Sequence, residues 1–452
     1  MIGFPPINVE LSIYHNPNSP RTGGTPIHQQ LIMNIIDLFT PQSKVDFYTK
    51  IFDTLDLTEF PDEVNSSTSG PEGFSRHALF RAFMVMKCEK FSEITQLQEY
   101  LFNNQIIAHT CGFNIMKKLP SYWTYRRFIK NTAHKWFSAV MQSQVETLVS
   151  LGFIDGSFVS LDSTSIEANT AKNNFKSFDK TRFNKSIPPK SDKDCKLGVR
   201  TASNAYNEKK YEFYWGYKNH ILVDAISGLP IAEITTTANV TDGEVAIPLL
   251  KNTNSWLSLE ETFFIADKGY DIKDIYNFVR DELHGQCFIP LNKRSSKNGR
   301  IALSCGNIIC DAGLAMHKDG RQYLKSYIKQ KFCCPFRASK DNSLCPCNHP
   351  KYFNGKKNRG CVKYSSTGTD YRASINRDSD YFKSIYSLRT ESERYNSRWK
   401  NLNTDKASVR NMASIENLNT IGHICLLAVA VAAVKSGKTD CIKSLKNLKK
   451  SA

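Results

Sequence analysis

Residues 215–237, WGYKNHILVDAISGLPIAEITTT, contain two runs that are rich in β-branched and aromatic residues. The residues between the runs, Ala225 to Gly228, have the composition of a tight turn, so this stretch predicts a β-hairpin. A largely apolar run precedes the hairpin at residues 158–162, FVSLD, and another follows it at residues 262–267, TFFIAD. Short apolar runs of this kind are typical of strands buried in a sheet.

Helical patterns alternate with the later strands. Residues 243–250 and 271–283 have the apolar spacing of helices, and residues 286–291, QCFIPL, predict a last strand. The resulting order is three strands, a helix, a strand, a helix and a strand. That order predicts an α/β fold, in which a mixed sheet is flanked by helices.

Upstream of the sheet, apolar residues recur at three- and four-residue spacing, which predicts an all-α N-terminal domain. The chain as a whole is expected to divide into six segments. They are an irregular segment at 1–26, a helical DNA-binding domain at 27–152, the first part of the sheet core at 153–291, a basic, cysteine-rich insertion at 292–385, the C-terminal helices of the core at 386–435 and a basic tail at 436–452.

Composition restricts the partners and the compartment. Lys and Arg outnumber Asp and Glu by 60 to 43, which gives the chain a net charge of +17 and favours a polyanionic partner such as nucleic acid. Thirteen cysteines without an N-terminal signal sequence predict a reducing, cytoplasmic location. The longest apolar run, residues 421–434, is short for a membrane span and contains His423, so we expect a buried core helix and no membrane.

Two aspartates, Asp162 and Asp267, each end a predicted apolar strand. Ligands gather at the carboxyl ends of strands, because the sheet fixes those side chains beside an open crevice. Carboxylate oxygens are hard ligands that suit Mg²⁺ or Mn²⁺. The pair therefore predicts part of a site for divalent cations.

A third carboxylate comes from the pattern Tyr386-x2-Arg389-x3-Glu393-x6-Lys400. On a single helix these four positions fall within roughly 60° of one another, so one acid and two bases share a face. Three carboxylates can hold two metal ions, which clamp an in-line displacement at phosphorus. Arg389 and Lys400 would then hold the phosphate.

Other acids compete for these roles. Glu391 lies about 140° round the helix from Tyr386, away from the basic face, so Glu393 is preferred. Asp155 is in a predicted turn before the first strand, and Asp271 is expected to begin a helix. Asp224 has a weaker strand-end argument than Asp162 or Asp267.

The motifs VSLDSTSIEAN around Asp162, FIADKGYD around Asp267 and the tyrosine-arginine-glutamate-lysine pattern together resemble bacterial insertion-sequence transposases of the DDE type. The helical stretch SGPEGFSRHALFRAFMVMK at 69–87 is also similar to the helical domain of such proteins. The resemblance implies a ribonuclease-H-like core, with two Mg²⁺ or Mn²⁺ ions bound by Asp162, Asp267 and Glu393. It also implies phosphate contacts from Tyr386, Arg389 and Lys400.

The partners that the resemblance implies are double-stranded DNA, at the element's terminal inverted repeats and at the target, and further copies of the chain in a dimer or larger assembly. The implied reaction is hydrolytic cutting at the element ends, followed by transfer of the 3′-hydroxyl ends to target DNA. Two alternatives stay open. One is a metal-dependent nuclease that does not join strands, and the other is a transposase-derived DNA-binding protein that does not cut.

Further DNA contacts are expected from Arg126 and Arg127, which follow a predicted helix start, and from the basic residues 170–210. Trp215 and Trp399 are candidates for stacking on an unpaired base. The insertion contains seven cysteines, and four of them could bind structural Zn²⁺. The candidate zinc ligands are Cys310, Cys334, Cys345, Cys347 and Cys361. Their spacings contain no paired CxxC, so isolated buried cysteines remain the alternative.

Overall fold

The computed structural model describes residues 42–62, 73–203, 209–292, 307–324, 328–336, 361–366 and 371–451. The predicted irregular segment at 1–26 and the zinc candidates Cys345 and Cys347 lie outside the described residues.

Helices make up most of the described residues before the sheet. They are α1 Gln42–Phe52, α2 Arg76–Cys88, α3 Ile94–Asn103, α4 Gln105–Cys111, α5 Tyr122–Asn131 and α6 His134–Ser150. Helix α2 begins where Ser75 caps it, because the Ser75 hydroxyl accepts a hydrogen bond from the amide of Ala78. Asp62 accepts from the amides of Arg76 and His77, so two more free amides of the first turn are satisfied.

The predicted mixed sheet is present. Its strands are β1 Phe158–Glu167, β2 Lys196–Ser203, β3 Lys209–Asp224, β4 Pro230–Thr237, β5 Phe263–Ala266 and β6 Gln286–Phe288. The C-terminal half of β3 pairs antiparallel with β1 on one side and with β4 on the other, and β1, β5 and β6 run parallel. The predicted hairpin is β3 with β4, and Gly228 takes a left-handed conformation in its turn (φ +68°). Helices α7 Asp242–Asn254 and α8 Lys273–Asp281 follow β4 and β5.

The strand predictions were wrong in two places. Strand β1 does not end at Asp162 but continues to Glu167, because the long strand β3 provides backbone partners for Ser163 to Glu167. Strand β2 was not predicted, and it pairs with the N-terminal half of β3.

The C-terminal part of the chain returns to this core. It contains α9 Asp380–Ser387, α10 Thr390–Lys400, α11 Met412–Lys435 and α12 Leu445–Ser451. Helix α11 packs against α2, α5 and α6 on one side and against β4 on the other. The N-terminal helices and the sheet consequently share one apolar core. By length and composition α11 is apolar enough to cross a membrane, but 94% of its most apolar window is buried inside the protein, as a core helix requires.

The described part of the insertion forms a small antiparallel sheet. Its strands are β7 His317–Tyr323, β8 Ile328–Cys333 and β9 Val362–Ser366. Cys310, Cys334 and Cys361 are buried in a second apolar cluster with Met316 and Phe332. Among the described residues no group of three or more His, Cys, Asp or Glu is placed to hold a metal ion, so zinc binding stays a prediction.

Candidate active site

The sheet places Asp162 and Asp267 side by side. Strands β1 and β5 are parallel, and Leu161 lies opposite Ala266. The residues that follow this pair in the chain are Asp162 and Asp267. Asp267 directly follows β5, as predicted, whereas Asp162 lies within β1. Asp162 therefore has strand residues before and after it in the chain, and it lies beside the point where the parallel strand β5 ends.

Helix α10 is anchored over β1. The Ser160 hydroxyl donates to the Ser392 hydroxyl at 3.0 Å, and Ser392 donates to the carbonyl of Arg389 at 2.8 Å. Two residues along the same face of β1, the Asp162 Oδ2 atom accepts a hydrogen bond from Asn396 Nδ2 at 2.9 Å. Because Ser392 and Asn396 are about one turn apart, these contacts fix both the position and the rotation of α10.

The tyrosine-arginine-glutamate-lysine pattern spans two helices and not the one that was predicted. Tyr386 is in the last turn of α9, Arg389 immediately precedes α10, and Glu393 and Lys400 are in α10. Leu388 and Arg389 nevertheless keep right-handed helical dihedral angles, so the helical path is only slightly interrupted.

Arg389 connects two of the predicted metal ligands. Its Nη1 atom donates to Glu393 Oε1 at 2.6 Å, and its Nη2 atom is 4.0 Å from Asp162 Oδ1. Glu393 is half-exposed (52%) on the outer side of this pair. Lys400 is exposed at the end of α10, about 10 Å along the axis from Glu393.

Tyr386 lies close to the same charges. Its ring stacks on Phe382 with centroids 5.8 Å apart. Burial raises the pKa of the Tyr386 hydroxyl, Arg389 lowers it, and the carboxylates of Asp267, Glu393 and Asp162 raise it. The hydroxyl therefore remains a hydrogen-bond donor at neutral pH, which suits contact with a phosphate oxygen.

The electrostatics of Asp162 bear on metal binding. Burial raises the pKa of Asp162 to about 6, the Arg389 guanidinium lowers it, and Asp267 raises it. Residues of the chain thus balance the charge of this carboxylate only in part. Two adjacent carboxylates with an uncompensated charge fit a hard divalent cation, although no group of three ligands is assembled among the described residues. If Glu393 is the third ligand, its carboxylate must leave Arg389 and bind the cation.

Two site residues were missed by sequence reasoning. Asn396 contacts Asp162 through Nδ2, and its buried Oδ1 atom has no hydrogen-bond partner in the described part of the chain. Asp242, the first residue of α7, is the other. A side-chain carbon on Gly269 would lie 2.8 Å from Asp267 Oδ1 and 3.8 Å from Asp242 Oδ2, so the two carboxylates flank this glycine.

Asp242 is also held from behind. Lys218 Nζ is 3.0 Å from Asp242 Oδ1, and the buried His220 Nδ1 is 3.9 Å from the same oxygen. Burial raises the pKa of Tyr270, and the carboxylates of Asp242, Asp162 and Asp267 raise it further. The only sequence signal was the position of Asp242 at a helix start, which is usually an interaction with the helix dipole.

The rival acids have structural partners. Glu391 pairs with Arg394 and, at 3.0 Å, with Lys443, on the side of α10 that faces the C-terminal segment. Asp155 and Asp224 accept hydrogen bonds from backbone amides in turns. Asp271 binds Tyr276 at 3.0 Å and Arg372 at 2.8 Å. These contacts account for each rival without a catalytic role.

The remaining candidates lie apart from the acids. Arg127 is exposed on α5, and the Arg126 guanidinium lies 5.3 Å from the centre of the exposed Trp123 ring. Their contact with DNA stays a prediction. Trp215 and Trp399 are buried in the core, so neither can stack on a base as it stands.

A family model of the transposase DDE domain matches residues 154–428, which is more than half of the chain. The chain belongs to the transposase DDE domain family. The match runs from before β1 to within α11, so the transposase domain includes Asp162, Asp267 and the whole of α10.

Two other comparisons give less. No curated protein sequence matches the transposase chain. Among solved structures, a piggyBac transposase, determined in a synaptic complex with hairpin DNA, is similar at 10% identity and a TM-score of 0.38. The similarity covers 90% of this chain and 78% of that one, and a TM-score this low does not establish a common fold.

Proposed function

We propose that this protein is a bacterial insertion-sequence transposase with a ribonuclease-H-like catalytic core. It would cut DNA at the ends of its element and transfer the 3′-hydroxyl ends to target DNA. The observation that carries the proposal is the contact set around Asp162. This carboxylate lies beside Asp267 on parallel strands, and Arg389 contacts both Asp162 and Glu393.

The residues divide into an acidic and a basic group. Asp162, Asp267 and Glu393 would bind two Mg²⁺ or Mn²⁺ ions, which supply charge stabilisation at the attacking and leaving oxygens of a phosphoryl transfer. Tyr386, Arg389 and Lys400 would hold oxygens of the scissile and neighbouring phosphates. Arg389 is well placed to exchange the Glu393 carboxylate for a phosphate, because both groups accept hydrogen bonds from its planar guanidinium.

The reaction proceeds in two displacements at phosphorus. Water attacks the phosphorus atom, the bond to the 3′-oxygen breaks, and that oxygen takes up a proton to become a free 3′-hydroxyl. The 3′-hydroxyl then attacks a phosphorus atom of the target strand, and the target's own 3′-oxygen leaves. Asn396 would keep Asp162 oriented throughout, since it donates to Oδ2 and leaves Oδ1 on the side of Arg389.

The partners follow from this role. We propose double-stranded DNA at the terminal inverted repeats and at the target, with a dimer or larger assembly on paired ends, in the bacterial cytoplasm. The basic balance of the chain, +17, supports a DNA partner. Zn²⁺ in the insertion remains a proposal that rests on its seven cysteines.

The test is cleavage and joining of DNA that carries the flanking element ends, with Mg²⁺, by the intact protein and by Glu393→Gln. Joined product from the intact protein, with a variant that binds but does not cut, supports the proposal. Glu391→Gln is the matched control, because it changes the same helix on its other side and should cut normally. Cutting without joining would instead favour a nuclease, and binding without cutting a DNA-binding protein.

A further inference from the structure

The segment between β1 and β2, with the adjoining part of β3, presents aromatic side chains to solvent. Phe178 is 99% exposed, Phe175 76% and Tyr211 68%, and Phe183 and Phe213 are also exposed. These five residues are called the aromatic surface below. Contiguous exposed apolar groups are unusual on a protein surface and mark a site of interaction.

The backbone beneath the aromatic surface is fixed by hydrogen bonds. Asn173 donates to the carbonyls of Ala168 and Trp215 at 2.7 and 2.8 Å and accepts from the Trp215 amide at 2.9 Å. The Trp215 indole donates to the carbonyl of Arg182, and Lys172 donates to the carbonyl of Ile187. The aromatic rings are therefore presented by an anchored loop.

Two of the rings lie against one guanidinium, and a third contacts one of those two. Arg182 lies over Phe175 at 5.5 Å and over Phe183 at 5.7 Å, and the Phe183 ring is 5.9 Å from that of Phe213. On the paired strands, Thr201 lies opposite Tyr211 and Val199 opposite Phe213. Aromatic rings thus line one side of the β2–β3 ribbon, which is a suitable platform for the stacking of other planar groups.

The charge around the aromatic surface is positive. The segment between β1 and β2, with the first residue of β2, carries six exposed lysines: Lys176, Lys180, Lys185, Lys190, Lys193 and Lys196. The three aspartates of the same segment, Asp179, Asp192 and Asp194, offset only half of this charge. The surface matches an anion, whereas a second copy of it would bring like charges together.

The aromatic surface continues from the strand that carries Asp162. Strand β3 pairs Ile221 with Asp162, and Phe213 lies eight residues from Ile221 along β3, or about 27 Å at strand spacing. That length corresponds to about eight nucleotide steps of DNA. A strand held at the acids can therefore reach the aromatic surface.

We propose that the aromatic surface binds single-stranded DNA beside the cut site, with bases stacked on the phenylalanine rings and phosphates held by the lysines. Paired bases stack on each other within a duplex and are not free to stack on protein, so the surface selects unpaired nucleotides. The inference rests on the proposed function in that it places the single strand next to the transposase acids.

The test is fluorescence anisotropy of the full chain without metal ion, on a labelled single strand and on the matching duplex. Phe178→Ala should weaken single-strand binding roughly tenfold and leave duplex binding nearly unchanged, since stacking is removed only where bases are unpaired. Phe178→Trp should retain single-strand binding. Phe102→Ala is the matched control, because Phe102 is 67% exposed on α3, and it should alter neither affinity.

A second pair of variants tests the lysines. Lys180→Gln and Lys185→Gln should each lower the salt dependence of single-strand binding, by about 0.7 in the slope for every phosphate that the variant no longer neutralises.

Three results would overturn the inference. Phe178→Ala could bind the single strand as tightly as the unaltered chain, or lose affinity equally for the duplex. It could also change only self-association in sedimentation, which would assign the surface to contact between copies. Because no metal ion is present, this measurement is independent of cutting. A chain that binds single strands through Phe178 but never cuts element ends keeps the aromatic surface and loses the proposed function.

Discussion

Strand β1 and helix α10 hold their acids in different ways. Asp162 lies within a strand that is paired on both sides, and its carboxylate is largely buried. Glu393 is on the outer side of a helix, half-exposed, and paired with a neighbouring arginine. The sheet therefore contributes acids whose positions are fixed, and the helix contributes an acid that can change its partner. A site built in this way is rigid on one side and adjustable on the other.

The largest expected effect is a loss of activity that is accompanied by a gain in stability. Asp162→Asn should reduce DNA cleavage on the order of 10⁴-fold, as removal of a central catalytic residue does. The same change should raise the free energy of unfolding at pH 7.5 by about 1–3 kcal/mol, because burial raises the pKa of Asp162 to about 6 and its ionised form is unfavourable in the folded state.

Glu393→Gln is the counterpart on the adjustable side. It should also abolish cutting, but its free energy of unfolding should stay within about 0.5 kcal/mol of the unaltered protein, since Glu393 is half-exposed and Arg389 keeps Asp162 as a partner. Urea unfolding of both variants provides the comparison. Equal stability changes in the two would show that strand and helix hold their acids alike.

The contact between the two sides is tested by Asn396→Ala. Removal of its hydrogen bond to Asp162 frees that carboxylate to rotate and should lower the cleavage rate about 10- to 100-fold, in the range found for groups that orient metal ligands. Asn396→Asp is a stricter variant, because it keeps the shape but sets a second charge against Asp162. Steady-state cleavage with saturating DNA is the measurement, and full activity in Asn396→Ala would remove Asn396 from the site.

A smaller effect is expected at Gly269. A methyl group there would lie 2.8 Å from Asp267 Oδ1. Gly269→Ala must therefore displace the Asp267 carboxylate, one of the acids that the sheet positions. We expect a several-fold loss of cleavage that is partly recovered at higher Mg²⁺ concentration. Gly152→Ala is the control for adding a methyl group, since nothing lies within 4 Å of that position. Gly152 has a positive φ, so its own backbone strain must be measured by unfolding.

The packing behind α10 should affect stability and not the cleavage step itself. The His423 Nε2 atom donates to Asn219 Oδ1 at 3.1 Å, and Nδ1 accepts from the Tyr395 hydroxyl at 2.6 Å. Burial lowers the pKa of His423 to about 3, and Lys87 lowers it further. The unfolded chain takes up this proton near pH 6.5 and the folded chain does not, so stability is lost as pH falls below 6.5. The contribution is about 2 kcal/mol between pH 7 and pH 5.

The measurement is the unfolding free energy at both pH values for the intact chain and for His423→Gln. Burial also lowers the pKa of His220, to about 4, which acts in the same direction, whereas the raised pKa of Asp162 opposes both. The difference between the two proteins isolates His423. If the unfolding free energy changes equally with pH in both proteins, His423 is protonated in the folded protein as readily as in the unfolded chain.

Local sequence pattern predicted the parts of this structure that local forces determine. The hairpin of β3 and β4, the strand ending at Asp267 and the buried helix α11 were each predicted from apolar periodicity and turn residues. The end of β1 was not, because four of the five residues from Ser163 to Glu167 are polar and become strand only by pairing with the distant β3. Burial alternates here, with Thr164 and Ile166 buried, but the run is too polar to be recognised as the continuation of an apolar strand.

The helix interruption at Leu388 has a local cause that the charge spacing did not reveal. The hydroxyls of Ser384, Ser387 and Thr390 donate to backbone carbonyls three residues earlier, which competes with the regular helical hydrogen bonds. Asn396 and Asp242 were missed for another reason. Each becomes part of the site through a contact with a distant element, and an uncharged amide or a helix-start aspartate is common elsewhere.

Helix α11 has a consequence for the synthesis of the chain. It lies between the N-terminal helices and the sheet, and it is shared by both. Until the ribosome has released residues 412–435, the helices made first have only part of their apolar surface covered. The protein must therefore finish its core late, and a chain arrested before α11 would expose that surface and aggregate. The last helix of the family domain completes a fold that begins more than three hundred residues earlier.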